Sequence, residues 1–150
     1  MIANSTQLRQ ITSLHDGILP LSAEAEGEGH RFMRRLQDEW NSGTNRFAGH
    51  GECLLGAYVD GHIVAIGGLN KDPYIPAATV GRLRHVYVSS SARRQRIGTI
   101  LVKHIADKAS RTFTTLRLRT TTTEAAAFYE RLGFRRTDEE AATHVLDLRA

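Results

Sequence analysis

Arg93, Arg94 and Arg96 fall within four positions, directly ahead of Gly98 and a run, IGTILVKHIADKA, with the apolar spacing of a helix. A helix start presents unpaired backbone N–H groups and the positive end of the peptide dipoles, so it attracts phosphate oxygens before any side chain is counted. A glycine there lets a ligand come close to the backbone. Guanidiniums beside that end add charge-assisted hydrogen bonds to the same oxygens. The chemistry open to this stretch is the holding of a phosphorylated molecule, although a basic cluster taken alone reads equally well as a solvated face. It is not a P-loop, which needs spaced glycines followed by Lys and Ser or Thr, and it is not the glycine-rich dinucleotide fingerprint.

Other reactive side chains are scattered. His85 titrates in the range useful for proton transfer, and Asp72 and Asn70 lie on a segment just ahead of it where they could order a water. Each also reads as an ordinary packed or surface residue. The seven histidines include no His-x-x-x-His pair, and Cys53 is the only cysteine, so no metal set is expected. Cys53 lies in an apolar run and reads as buried packing.

The 150 residues suffice for a single domain with a real core, with 41% hydrophobic and 24% charged residues. The net charge of +4 is unevenly placed. Residues 82–119 hold ten Lys or Arg against one Asp, while the segments on either side are mildly acidic. That pattern favours an anionic ligand, either a phosphorylated small molecule or a nucleic acid. No basic segment followed by an apolar block opens the chain and no apolar run is long enough to span a bilayer, so a cytoplasmic protein without membrane association is expected. One cysteine fits that reducing compartment.

These residues need elements to place them. QLRQI is a weak strand candidate, and Ser13 is placed to cap a helix that Gly17 and Pro20 would break early. From His30 to Trp40, Phe32, Leu36 and Trp40 recur on one face, with Arg34, Arg35, Asp38 and Glu39 on the other. CLLGAYV and HIVAIGGL are strands joined by Asp60-Gly61, a tight-hairpin signal. VGRLRHVYV alternates, which puts Leu83, His85 and Tyr87 on one face and Arg84, Val86 and Val88 on the other. A helix over about Ile97–Ala109 stripes Ile97, Ile100, Leu101, His104 and Ile105. TTLRLRT is a strand, Glu124–Leu132 a helix ending at Gly133, and HVLDLR a closing strand. The order predicts a mixed α/β sheet with helices on both faces.

Two segments together resemble the GNAT superfamily of N-acyltransferases. The first is the arginine-rich stretch, similar to that family's acyl-CoA motif, Gln/Arg-x-x-Gly-x-Gly/Ala: Arg93 fills its first position and Gly98 its last, while Arg96 stands where the family has its middle glycine. The second is TTTTEAAAFYERLGF, in which Tyr129 and Gly133-Phe134 match the family's second signature and Thr122 takes the usual Asn position. The hairpin and element order fit as well, so the resemblance spans the chain from about residue 7.

The resemblance implies a splayed central sheet and acetyl-CoA as co-substrate, with no metal. The strand at Val86, Tyr87 and Val88 would offer its backbone to the pantetheine amides. Arg93, Arg94, Gln95, Arg96, Ile97, Gly98 and Thr99 would take the pyrophosphate, with Thr122 and Phe128 as further cofactor contacts. Arg96 either swings outward and adds a charged contact or obstructs the cradle. A neutral amine would attack the thioester, and Tyr129 would hydrogen-bond the departing sulfur; Tyr129 also lies on an apolar stripe and reads as core. The family's glutamate positions hold Arg82 and Arg117, so the base is open: His85 is one candidate, and a water ordered by Asp72 and Asn70 is another. Trp40, Phe47 and Tyr74 either line the acceptor side or belong to the core.

The reading is an N-acetyltransferase acting on a primary amine of a small molecule or protein, with a homodimer open to it. Arg82, Arg84 and Arg117 tilt the acceptor toward neutral or anionic amines and away from polycations. Two alternatives compete. A non-catalytic acyl-CoA sensor would explain the absent carboxylates, and a nucleic-acid-binding protein would use the arginines, although it lacks an aromatic stacking surface.

Overall fold

The computed structural model describes residues 6–14 and 18–148. Its elements are β1 (Gln7–Gln10), α1 (Leu19–Gly27), α2 (Phe32–Ser42), β2 (Cys53–Val59), β3 (His62–Lys71), β4 (Val80–Val88), α3 (Ile97–Ala109), β5 (Thr115–Leu118), α4 (Thr123–Arg131), β6 (Arg135–Arg136) and β7 (His144–Asp147), with a 3-10 turn at Ser90–Ala92. The strands form one seven-stranded sheet in the order β1-β2-β3-β4-β5-β7-β6. Only β4 and β5 are parallel to each other; the other neighbours run antiparallel.

Alternation sorts the strands' apolar residues onto two cores. Cys53, Leu55 and Ala57 of β2 face α3 and share one core with Leu101, Ile105 and, further along, Tyr129 of α4. Leu54 points the other way, against Met33, Leu36 and Trp40 of α2 and Leu21 and Ala25 of α1. Cys53 is buried packing, and burial pushes its thiol pKa up. The β2–β3 hairpin turns at Asp60 (φ 52°) and Gly61 (φ 80°), the paired positive φ values that a two-residue connection requires.

Two helices differ from expectation. α1 begins at Leu19, well beyond Ser13, and Pro20 stands in its first turn, where a missing N–H removes no helical bond. Pro20 therefore starts this helix instead of breaking it; Gly17 lies outside the described residues. In α3 the buried stripe is Ile97, Leu101, Val102, Ile105 and Ala109. Ile100 is exposed and so is His104, because the sheet beneath lies one position round from the stripe that periodicity alone suggests.

The central strand carries the most consequential departure. Ile66 pairs with Tyr87 and Gly68 with Arg84, so one residue of β3 faces two of β4, His85 and Val86. This bulge puts His85 at φ 58° and breaks the alternation. Leu83, Val86 and Val88 pack toward α3, whereas Tyr87 joins the α1/α2 core and His85 packs against Phe32 and Phe47 there. The expected grouping of Leu83 with His85 and Tyr87 is thereby corrected: Leu83 lies on the opposite face.

The parallel ladder between β4 and β5 has three rungs, Val80–Thr115, Gly81–Leu116 and Arg82–Arg117. Past the third, β4 runs on to Val88 with the side away from β3 unpaired, and the sheet opens into a wedge.

Candidate functional site

The wedge holds a cleft of about 1250 Å³ bounded by the far half of β4, the start of α3, α4 and the first turn of α2. Its rear wall is the unpaired edge of β4 at Val86, Tyr87 and Val88. One group on that edge already has a partner, since Arg93 donates Nε–H to the Val88 carbonyl at 3.0 Å.

At the end of β4 the chain makes its 3-10 turn and enters α3 through two left-handed residues, Arg94 (φ 69°) and Arg96 (φ 62°). Alternating φ signs turn successive N–H groups toward one point and so shape an anion-binding concavity. Arg96 occupies the αL position immediately before Ile97, a conformation that glycine adopts freely and other residues at a cost of roughly 1–2 kcal/mol. Its side chain is exposed and lines the cleft. Gly98 and Thr99 line the cleft beyond it, and a Cβ on Gly98 would sit 3.2 Å from Val88 and 3.4 Å from Phe128. Phe128 thus closes the floor against a bare backbone.

The loop's side chains divide their work. Arg94 and Arg96 face the cleft, with Arg119 and Arg131 at its other lip. Arg93 instead pairs with Glu28 and lies 5.5 Å over the Tyr87 ring. Gln95 turns back to donate to the Ser91 carbonyl at 3.2 Å and is absent from the lining. Ile97 lines the cleft while its side chain packs in the α3/α4 core. Thr122 caps α4, its hydroxyl accepting from Ala125 N–H at 3.1 Å.

A carboxylate unsuspected from the sequence anchors this loop. Glu24 of α1 accepts through Oε2 from the Ser90 N–H at 2.7 Å and the Tyr87 hydroxyl at 2.8 Å, and through Oε1 from the Ser89 hydroxyl at 2.9 Å. Burial alone would raise its pKa, but these donors and Arg93 bring it below the ordinary value. Hydrogen bonds from Arg93 and Tyr87 likewise hold Glu28 low. These hydrogen bonds tie the end of α1 to the turn at Ser89 and Ser90 and to Arg93. No short-range pattern signals a pairing between residues so far apart.

Tyr129 projects from α4 into the cleft from the opposite side. It is 8% exposed, packed edge-on against Phe128 and Phe134. Burial is what raises its pKa, with no contribution from a hydrogen-bond partner among the described residues. Tyr129 thus belongs to the core and also lines the opening.

His85 behaves differently from a free histidine. Desolvation, helped by the cations Arg84 and Arg35, pushes its pKa down to about 3, and the backbone of Phe32 offsets this only in part. The Phe32 contact falls short of full hydrogen-bond geometry, and among the described residues neither ring nitrogen has another partner. Taking a proton from an ammonium of pKa ~10.4 would be uphill by roughly 10 kcal/mol for such a group. Asp72 is engaged too. It is fully buried, with Oδ2 3.2 Å from Arg82 Nη1 and 3.1 Å from Arg117 Nε, and Oδ1 accepts from Tyr74 N–H. The Arg117 contact is ionic only, since its Nε–H does not reach hydrogen-bond geometry. Asn70 exchanges amide hydrogen bonds with Asn45 at 2.9 and 3.0 Å. Trp40 and Phe47 are core, stacked on each other, whereas Tyr74 is exposed beneath Arg82 at the cleft. Among the described residues no cluster of His, Cys, Asp or Glu could hold a metal ion, and no helix is long and apolar enough to cross a membrane.

A family model described as "Acetyltransferase (GNAT) family" matches residues 11–134. A protein of Exiguobacterium sp. 255-15 assigned as an acetyltransferase is 32% identical, with 95% of this chain and 93% of that one covered at a TM-score of 0.84. Two Escherichia coli structures share the fold at lower identity. One is the GNAT family N-acetyltransferase YhbS in complex with CoA (17%, 99% of this chain and 84% of that one, TM-score 0.72). The other is the ribosomal-protein-S18-alanine N-acetyltransferase (18%, 97% and 96%, TM-score 0.65). No curated protein sequence matches the chain.

Proposed function

Because the chain belongs to the acetyltransferase (GNAT) family, a family of acyl-CoA-dependent enzymes, we propose that it moves an acetyl group from acetyl-CoA directly to a primary amine. One observation carries this reading: the unpaired β4 edge ends at a left-handed arginine loop and lines one cleft together with Tyr129 of α4. The fit to coenzyme A is chemical. An extended arm with amides suits a strand edge, and a diphosphate suits convergent N–H groups flanked by Arg94 and Arg96.

In the transfer, the amine nitrogen bonds to the carbonyl carbon, the carbon–sulfur bond breaks, and the thiolate leaves with the electron pair. Tyr129 stabilises that sulfur by a hydrogen bond. Full proton donation is disfavoured, since an ordinary phenol already lies above a thiol (~10 against ~8.5) and burial raises this one further. The ammonium proton leaves through water in the open cleft. Glu28 and Glu124 are the carboxylates among the lining residues; Arg93 holds Glu28, and Glu124 stands at the start of α4 beside the phosphate loop.

Calorimetry with acetyl-CoA, followed by thiol release with a panel of primary amines, tests the proposal. Binding together with amine-dependent release of CoA is the expected result. Binding without release would return the chain to the acyl-CoA sensor reading, and no binding would end both.

A further inference from the structure

The α2 side of the cleft has a charge balance that sequence alone misplaces. Four arginines reach this side, and two are neutralised internally. Arg82 is held by Asp72 and the Ala141 carbonyl, and Arg93 by Glu28. Arg84 and Arg35 remain. The bulge turns Arg84 and His85 toward the same face, where Arg84 meets, among the described residues, Glu39 at 3.9 Å and the Asn70 side-chain oxygen at 3.4 Å. Arg35 is exposed, lines the cleft one turn of α2 beyond Phe32, and forms no ion pair among the described residues. His85, nine-tenths buried, lines the same cleft, and neither ring nitrogen reaches full hydrogen-bond geometry among the described residues.

Resting on the acetyl-transfer reading, the geometry points to an acceptor that brings its own negative charge: a small primary amine bearing a carboxylate or phosphate, held through that anionic group by Arg35 and Arg84. Guanidiniums bind either anion through paired N–H donors, and a polycationic amine would be repelled from the same place. The arrangement also serves the reaction. A cation near an ammonium favours its neutral form, the nucleophilic one, so the arginines that recruit the acceptor also assist loss of its proton. His85 shows that both cations are felt at this spot, since Arg84 and Arg35 each contribute to lowering its basicity.

The test compares kcat/KM of the full chain for matched amines: β-alanine against propylamine, phosphoethanolamine against ethanolamine, and putrescine as the cationic member. The expected result is a preference of about ten- to a hundredfold for at least one acidic member over its uncharged partner, with the two pairs separating carboxylate from phosphate. In Arg35→Gln and Arg84→Gln that ratio falls toward one through a higher KM. Arg35 is exposed, so the first variant folds even if the second does not. Preference for propylamine, ethanolamine or putrescine, or a ratio untouched by Arg35→Gln, overturns the inference while leaving acetyl transfer standing. Acetyl-CoA binding with no amine consumed overturns both.

Discussion

Arg82 and Arg117 face each other on the last rung of the parallel β4–β5 ladder, and one buried carboxylate, Asp72, lies within 3.2 Å of each. Both guanidiniums reach on to the loop after β6, Arg82 to the Ala141 carbonyl and Arg117 to the Glu140 carbonyl and Glu139. Two buried cations around one anion tolerate its loss badly. Asp72→Asn is expected to lower stability by about 3–5 kcal/mol in urea unfolding. A loss under about 1 kcal/mol would show that solvent or Glu139 already carries the compensation.

His85 gives a pH signature. Its folded pKa of about 3 lies below the ordinary 6.5, so between those values the unfolded chain binds the extra proton and stability falls as pH drops, by up to roughly 1.4 kcal/mol per pH unit from this group. His85→Phe keeps a ring against Phe32 and Phe47 and is expected to flatten that part of the stability curve while preserving amine turnover at neutral pH. Collapse of turnover in a well-folded variant would restore His85 as the base.

Tyr129→Phe removes a hydroxyl that no described protein group bonds. Stability and CoA affinity should stay close to those of the parent, with kcat reduced about 10- to 100-fold, the size of one hydrogen bond to a developing charge. Equal loss of affinity and rate would make the tyrosine packing alone.

At position 96 conformation and charge pull apart. Arg96→Gly relieves a left-handed arginine but adds backbone freedom to the unfolded chain, so stability is expected to change by between zero and about +1 kcal/mol. CoA affinity is expected to fall severalfold at low salt and to approach the parent's at high salt, because what is lost is a screened exposed charge. Salt-independent weakening would mean that the side chain shapes the loop.

Glu24 and Glu28 both have folded pKa values below 4.5, so what they contribute is complete above that pH and disappears as pH falls through their folded values. CoA affinity of the parent is therefore expected to decline on acidification below about 4.5, titration calorimetry being the readout. Glu24→Gln should show raised KM for acetyl-CoA at neutral pH, little change in kcat, and a flatter acid limb. An unaltered KM would detach α1 from the loop.

How much of this was legible beforehand depended on the range of the signal. Asp60-Gly61 marked its hairpin, α3 has the expected bounds, and the resemblance around Arg93–Gly98 and Tyr129–Phe134 led to a cleft these segments do share. The bulge at His85 and Val86 was invisible within β4, which has neither glycine nor proline there; the partner strand carries Gly67 and Gly68 opposite it, where a side chain would strike Ile105 or Phe47. Charges misled for a similar reason. Arg82, Arg93 and Arg117 read as available cations, yet each has a carboxylate brought to it by distant chain, and Arg35, hidden among the charges of an ordinary amphipathic helix, is one that stays open.

A three-rung ladder is a thin hinge line for a sheet of seven strands. Backbone pairing between the amino-terminal meander and the carboxy-terminal strands stops at Arg82 and Arg117. A thioester lying along β4 with its tail against α4 would bridge that seam like a splint. Amide hydrogens on both banks of the gap should then exchange more slowly together, as one mechanical unit, once it is in place.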